Sequence, residues 1–540
     1  MPTKPSHISP RELLSLARSS ATQISAAVAN PARFKICRSL LTEKPHRLIN
    51  SRFAAAIRAL GDEERHFWIG TFYTLLLPGQ RRRSQAAYFT PPHLANAMVQ
   101  LLKGEGFDLQ RHSVIDPAAG GAAFLSTIAS EMRQAGAEPK DILRRLNGIE
   151  IDGGLARLAE TLIEARTGEE ITPGSVVRVK DSLKMKFGTQ YDLVVANPPF
   201  GRVFSADLPD ERWQRVCHPG HINKYALFAD LCFRLAKPQG LVALVMPSSF
   251  LAGPLYGRLR EHIRGAGEVI TLASLATRKD IFVDVAQDVS VLVARAGTSH
   301  AAERTVSFGT FGAVGKYRAQ TTGVLPKLKS AAWANREKTA KRQFGGATLS
   351  DYGAVLRAGY FVWNRESARM KAKRGGKLCV PLIWAENIQP GKYCVPAGRR
   401  GKATNFVKFE ADSTGITRSN AIVIQRTTNN SQKRRIIASR VSPSVVKKHG
   451  GFTTENHTIV LTGPNPKTLG LLVWLLNSKA VDDRYRQVSG TASVSVTLLR
   501  GIDLPSPQAL AEAVERFGQT DEAISAAYQA PSLSRAAVVA

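Results

Sequence analysis

The sequence predicts an α/β protein: a doubly wound, mostly parallel sheet with helices on both faces, an N-terminal helical segment before it and a mixed α/β domain after it. Three observations predict this. Short apolar runs alternate with helical stretches between about residues 113 and 296, as parallel strands joined by crossover helices require. Small residues follow the first apolar run, where such folds turn from strand to helix at a ligand-binding edge. Near residue 310 the composition shifts towards Gly, Thr, Asn and basic residues, which marks a second domain.

Each element has its own signal. Residues 10–77 repeat apolar positions at three- and four-residue spacing (Leu13, Leu14, Leu16, Ala17; Phe53, Ile57, Leu60), with Pro31, Pro45 and Gly61 as breaks, so this region reads as helices. No chemistry is legible in it. SVIDPA, LNGIEID, YDLVVANPP, GLVALVMPS, VITLASL and SVLVARA then read as strands. Farther on, AIVIQRTT and HTIVLTG are strand-like, LGLLVWLLNS is an apolar helix, and QALAEAVERFGQTDEAISAAYQ reads as one short amphipathic helix. These signals divide the chain into helical residues 1–80, a central α/β domain over 81–315, a mixed domain over 316–505 and a helical tail over 506–540.

Composition narrows the function. The 540 residues are 44% apolar, enough for real cores, and 74 Lys and Arg against 43 Asp and Glu leave a formal charge of +31. Such an excess points to a polyanion, nucleic acid first. Between residues 366 and 450 there are 18 basic residues and 4 acids, so much of the excess sits in the second domain. Five scattered cysteines without a C-x-x-C pair indicate neither a disulfide framework nor a zinc site, and they fit a reducing cytoplasm. No leader pattern and no membrane-length apolar run is found, so a soluble cytoplasmic protein is expected.

The chemistry lies in three strand ends. Val114-Ile-Asp-Pro-Ala-Ala-Gly-Gly-Ala-Ala-Phe-Leu125 puts Asp116, Pro117, Ala118 and Gly120 where a backbone can approach a ligand closely. Gly148-Ile-Glu-Ile-Asp152 ends the next strand with acids, and Glu150 can accept both hydrogens of a ribose diol. Neither a G-x-G-x-x-G turn nor a glycine loop ending in Lys-Ser or Lys-Thr is present, so a nucleoside cofactor without phosphate is favoured over NAD or ATP. The third end, Tyr191-Asp-Leu-Val-Val-Ala-Asn-Pro-Pro-Phe-Gly201, closes a buried strand on an amide locked against two prolines and a ring.

In this order, D-P-A-A-G, G-I-E-I-D and N-P-P-F resemble the S-adenosylmethionine-dependent N6-adenine DNA methyltransferases, and specifically their gamma class, in which a target-recognition domain comes last. The resemblance covers about residues 85–300 closely and the C-terminal region loosely. It implies a Rossmann-like catalytic domain and S-adenosylmethionine as cofactor. Tyr88, Thr90 and Pro91 resemble the segment that closes over the methionine end of the cofactor. Asp116, Pro117, Ala118, Gly120, Glu150, Ile151, Asp181, Ser182 and Asn197 match the remaining cofactor positions.

The resemblance also explains the locked amide. An exocyclic adenine amine is a poor nucleophile, because its lone pair is delocalised into the ring. The Asn197 side-chain oxygen and the Pro198 carbonyl would accept its two hydrogens and steer it towards tetrahedral geometry, with Pro198 and Pro199 keeping both acceptors aimed. Phe200 would stack on the base. A base in a duplex cannot reach such a site, so the target must be flipped out. Phe282 is implied as a second wall, with Lys224 and Tyr225 beside the site; Val283 stands where the family often has proline. No general base and no metal is required.

In the basic half, Arg426, Asn429, Asn430, Lys433, Arg434 and Arg435 combine base-reading forks with phosphate-binding charge, so duplex DNA is the expected partner. The reading is a modification methylase whose cognate restriction endonuclease is a genetic partner, since no P-D…(D/E)-x-K nuclease pattern occurs here. Two alternatives stay open: an N-P-P methylase acting on RNA or on a protein glutamine, whose planar amide poses the same problem, and a non-catalytic DNA-binding protein on a methylase scaffold. The sequence does not fix the oligomeric state.

Overall fold

The structure, a computed structural model, describes residues 8–28, 32–78, 89–188, 190–208, 210–275, 289–301, 303–312, 316–326, 333, 346–399, 403–411, 413–426, 434–488 and 494–530. Two compact units divide it, Met1–Trp333 and Ala334–Ala540.

The first unit is built on nine strands: β1 (Val114–Asp116), β2 (Leu146–Glu150), β3 (Val177–Val179), β4 (Tyr191–Ala196), β5 (Ala236–Pro247), β6 (Gly267–Leu275), β7 (Val289–Ala296), β8 (Thr305–Phe311) and β9 (Tyr317–Val324). They lie in the order β3-β2-β1-β4-β5-β7-β6-β8-β9. The first five are joined in parallel; β7 runs antiparallel between β5 and β6, and β9 runs antiparallel to β8. The chain winds outward from β1 in both directions, so the carboxyl ends of β1 and β4 flank the point where strand order reverses, the place where such sheets leave a crevice.

Burial on both faces explains why β4 is apolar at every step from Leu193 to Ala196 rather than alternating. Leu193 and Val195 enter one core with Leu94, Met98, Phe124 and Ile128, while Val194 and Ala196 enter the other with Tyr225, Phe228, Leu231 and Ile263. The period of two has been kept, with an apolar side chain needed at each step.

Before the sheet come α1 (Pro10–Ala27), α2 (Arg33–Arg38), α3 (Ser51–Ala59) and α4 (Asp62–Leu75). Ser9 and Asn50 cap α1 and α3 by accepting backbone N–H bonds, and three acids in the first turn of α4 suit the positive end of its dipole. Next are α5 (Pro92–Gly104), α6 (Ala123–Gln134), α7 (Pro139–Arg145) and α8 (Gly153–Thr167), and beyond β4 come α9 (Lys224–Leu235), α10 (Ser249–Ala252) and α11 (Gly257–Ala266). The N-terminal helices share one core with Leu155, Leu158 and Leu162 of α8. They are therefore part of the same unit as the sheet, not an appendage ending at residue 80.

The seam expected at residue 315 falls inside the β8–β9 hairpin, which continues the sheet. β9 escaped notice because it is an edge strand whose residues 318–320 are all exposed, so it lacks the apolar run of a central strand.

The second unit carries two four-stranded sheets. One contains β10 (Val355–Ala358), β14 (Ile422–Gln425), β15 (Ala438–Arg440) and β17 (Thr458–Thr462) in the order β10-β17-β14-β15. The other contains β11 (Met370–Lys371), β12 (Cys379–Ile383), β13 (Phe406–Lys408) and β16 (Thr453–Thr454) in the order β11-β13-β12-β16. Its helices are α12 (Pro443–His449), α13 (Pro466–Leu476), α14 (Lys479–Val488), α15 (Val496–Arg500), α16 (Pro507–Phe517) and α17 (Asp521–Gln529).

The tail read as one helix is thus two. Gly518 turns the backbone to φ +69°, and the Thr520 side chain accepts from Ala523 N to start the second helix. Leu510, Ile524 and Tyr528 join Leu472 and Leu475 in one core, so residues after 506 belong to the mixed domain. All five cysteines are buried and free, and no helix among the described residues is long and apolar enough to cross a membrane.

Candidate active site

At the reversal point of the sheet the loop after β1 turns into α6 through a strained backbone. Gly120 has φ +53°, and Ala122 holds the left-handed region at +58°, an uncommon position for a residue with a Cβ. The turn is held by Ala119 N donating to the Ile149 carbonyl at 2.9 Å and Ala122 N to the Ala119 carbonyl at 2.7 Å. It presses against Phe89: a Cβ on Gly121 would stand 2.6 Å from the Phe89 ring.

Carboxylates organise the next strand end. Glu150 accepts from Gly120 N through Oε2 and from Asp152 N through Oε1, both at 2.9 Å. Asp152 in turn caps α8 by accepting from Leu155 N at 3.0 Å and accepts from the Tyr73 hydroxyl at 2.6 Å. Burial raises the Glu150 carboxyl above its ordinary value, against the lowering effect of those backbone bonds. Asp116, 2% exposed, is pushed up to about 7 by burial, opposed by the Ala118 N–H and reinforced by the nearby Glu150 charge.

The amide at the end of β4 is oriented from outside the sheet. Asn197 Nδ2 donates to Thr90 Oγ1 at 3.1 Å, and Thr90 is buried just before α5. Pro198 is buried behind it. Phe200 packs edge-on to Tyr225, with ring centroids 6.3 Å apart at 86°, and Lys224 N donates to the Gly201 carbonyl at 2.9 Å, so the N-P-P-F turn is tied to the start of α9. Burial lowers the Lys224 pKa, opposed by the charge of Asp181.

These groups enclose a cavity of about 290 Å³. Of the expected cofactor residues, Thr90, Asp116, Pro117, Ala118, Gly120, Glu150, Ile151, Asp181, Ser182 and Asn197 line it, joined by Pro199 and Lys224. Pro91 instead starts α5, accepting from Leu94 N and Ala95 N, and Pro198, Phe200 and Tyr225 stand outside the cavity wall. Ser182 Oγ donates to the Pro117 carbonyl at 2.5 Å, and Asp181 accepts from Leu183 N, so both loops are fastened. Tyr88 and Phe282 lie outside the described residues.

Three contributors escaped the sequence reading. Phe89 and Leu77 line the cavity, and Tyr73 reaches Glu150 through Asp152. Their signal was faint: Phe89 sits within a segment noted only for its neighbours, and the stretch that holds Tyr73 and Leu77 showed periodicity without chemistry.

Residues 68–319 match the protein family described as N-6 DNA Methylase. The matched segment contains the strand ends that line the cavity, from Asp116 through Glu150 to Asn197. The chain is 24% identical over 370 residues to the Type II methyltransferase M.PstI of Providencia stuartii, covering 64% of this chain and 71% of that one. It is 22% identical over 469 residues to the Type II methyltransferase M.BsuBI of Bacillus subtilis, covering 80% and 91% respectively. Among solved structures, the Type IIL restriction-modification enzyme MmeI in complex with DNA aligns with a TM-score of 0.49 and 12% identity over 96% of this chain and 89% of the other.

The cavity fits S-adenosylmethionine. Ile151, 58% exposed, offers an apolar face to a flat ring, the Glu150 carboxylate suits a diol, and the glycine turn leaves no Cβ between the backbone and a ligand.

In the second unit the structure corrects one expectation. Arg435 is only 9% exposed, its N–H donates to Asp482 Oδ1 at 2.6 Å, and burial lowers its pKa; it is a packed residue rather than a surface contact. Arg434 is exposed and donates to the Asn477 carbonyl, and Arg426 donates to the Asn456 carbonyl at 3.3 Å. Asn429, Asn430 and Lys433 lie outside the described residues.

Proposed function

We propose that the protein is a site-specific DNA-methyltransferase that methylates adenine at N6 in duplex DNA, as the modification partner of a restriction endonuclease of the same specificity. The observation that carries this reading is the Asn197–Thr90 hydrogen bond at the end of β4, in one cavity with Glu150 and Asp116. It orients an amide at the strand end where a nucleoside-binding crevice lies, and the following prolines hold the backbone there.

The bound cofactor supplies an electrophilic methyl group on a sulfonium. Asn197 Oδ1 and the Pro198 carbonyl accept the two hydrogens of the adenine amine, which localises its lone pair and aims it at that methyl group. Phe200, braced by Tyr225, stacks on the extruded base and offsets part of its unstacking. The amine proton leaves after transfer, so no side chain needs to act as a general base. Both relatives are Type II methyltransferases, which supports the restriction-modification context. The net charge of +31 supports DNA as the partner, with Arg426 and Arg434 as contacts in the second unit.

Replacing Asn197 with Ala tests this. Tritium transfer to mixed-sequence DNA should fall by about a hundredfold or more, while calorimetry shows S-adenosylhomocysteine still binding. Undiminished transfer would refute the assignment. Expression in a methylation-free host, followed by long-read mapping, should find N6-methyladenine throughout one short motif.

A further inference from the structure

The second unit contains a cavity of its own, about 670 Å³, between the loop at Pro390–Tyr393, the end of β15 and helices α13, α14 and α17. Its wall carries four cations, Lys392, Arg434, Arg440 and Lys479, against one acid, Asp521. The balance is more positive than the count, because Asp521 stands in the first turn of α17, where the helix dipole offsets its charge. Lys479 is paired with Asp483, and among the described residues Arg434 donates to the neutral Asn477 carbonyl.

Arg440 is the informative residue. Its guanidinium lies over the Tyr393 ring at 5.8 Å, and its Nε is buried with no hydrogen-bond partner among the described residues. A buried donor on a permanent cation is unfavourable unless something accepts from it. Stacking on an aromatic face leaves the guanidinium edge free to grip an anion with two parallel bonds. Two ring systems share this wall, Trp474 and the 57% exposed Tyr393. Cations on one wall with an exposed ring, Tyr393, and a half-buried one, Trp474, match the chemistry of a phosphate with a flat base attached.

We infer that this cleft binds a nucleotide, with Arg440 and Lys392 on the phosphate and Trp474 or Tyr393 against the base, at a site separate from the methyl-transfer cavity. The inference deepens the reading of the protein as a DNA methyltransferase and rests on it in naming a DNA strand as the source of that nucleotide; a free nucleotide presents the same groups.

Two titrations distinguish the sources: fluorescence anisotropy with a labelled mixed-sequence duplex, and calorimetry with adenosine 5′-monophosphate. Arg440→Ala should weaken duplex binding by about tenfold and reduce the salt slope by about one. Arg440→Lys, which keeps charge but loses the fork, should recover part of it. If the variant leaves the duplex unaffected but abolishes binding of the monophosphate, the nucleotide site stands and the strand assignment falls. If neither titration changes, the inference is overturned. Should Arg440→Ala melt well below the parent, the exposed Lys392→Ala reports the same contact without disturbing the core. The two readings fail separately: retained transfer in Asn197→Ala would sink the catalytic assignment, whereas the cleft stands or falls with Arg440→Ala and Lys392→Ala in the two titrations.

Discussion

The Tyr73 hydroxyl donates to Asp152 Oδ1 at 2.6 Å, and Asp152 N donates to Glu150 Oε1 at 2.9 Å. A side chain from α4 thereby braces the strand end whose carboxylate faces the cofactor cavity. Gly154 admits the contact, since a Cβ there would collide with the Tyr73 hydroxyl. Tyr73→Phe removes the donor and keeps the ring. It should lower stability by about 1–2 kcal/mol and weaken S-adenosylhomocysteine binding by about threefold to tenfold. Unaltered affinity in calorimetry would reduce the bond to a fold contact.

In the proposed mechanism Thr90 acts through Asn197, whose Nδ2 it accepts from. Thr90→Val deletes the acceptor for Asn197 Nδ2 without changing side-chain shape much. The expected result is a fall in kcat of about tenfold with little change in cofactor affinity, and recovery in Thr90→Ser. A loss confined to cofactor binding would show that Thr90 serves the cavity and not the amide.

Two glycines give opposite expectations. Gly121→Ala would place a methyl 2.6 Å from the Phe89 ring, whose own setting between Gly70 and the turn restricts its retreat. It should destabilise the protein by about 1–3 kcal/mol and weaken cofactor binding. Gly104, at the end of α5, has nothing within 4 Å of its would-be Cβ. Gly104→Ala should be neutral or stabilising by about 0.5–1 kcal/mol in a denaturant titration.

Asp116 makes stability depend on pH. Its folded pKa of about 7 lies above the ordinary 3.8, so the folded state holds its proton where the unfolded chain has lost it. Stability from this group is present at acidic pH, falls as pH rises from about 4 to about 7, and levels off above. Glu150, also raised, slopes in the same direction. Asp116→Asn keeps the acceptor for Ala118 N and should flatten most of the decline between about pH 4 and 7 without removing it. An unchanged profile would mean that Asp116 is ionised across the range.

What could be read in advance followed from local constraint. Asn197-Pro198-Pro199-Phe200 announces itself because an amide between an apolar strand and two prolines has few structural uses. Asp116 and Glu150 stand at strand ends, where topology forces them together. Tyr73, Phe89 and Leu77 were hidden because their roles arise from packing between segments distant in sequence, and a buried aromatic on a helix looks the same whether it fills a core or braces a carboxylate. β9 was hidden for the opposite reason, having too little apolar character to declare itself a strand. Arg435 misled because charge in a basic run does not reveal which member turns inward to Asp482.

The shared core of the N-terminal helices and α8 bears on anyone trimming this enzyme for use. A fragment beginning at position 81 would leave Leu155, Leu158 and Leu162 bare to water and discard the Tyr73 brace. Such a minimal version would aggregate before its catalytic competence could be assayed, so the shortest practical transferase must retain those leading helices.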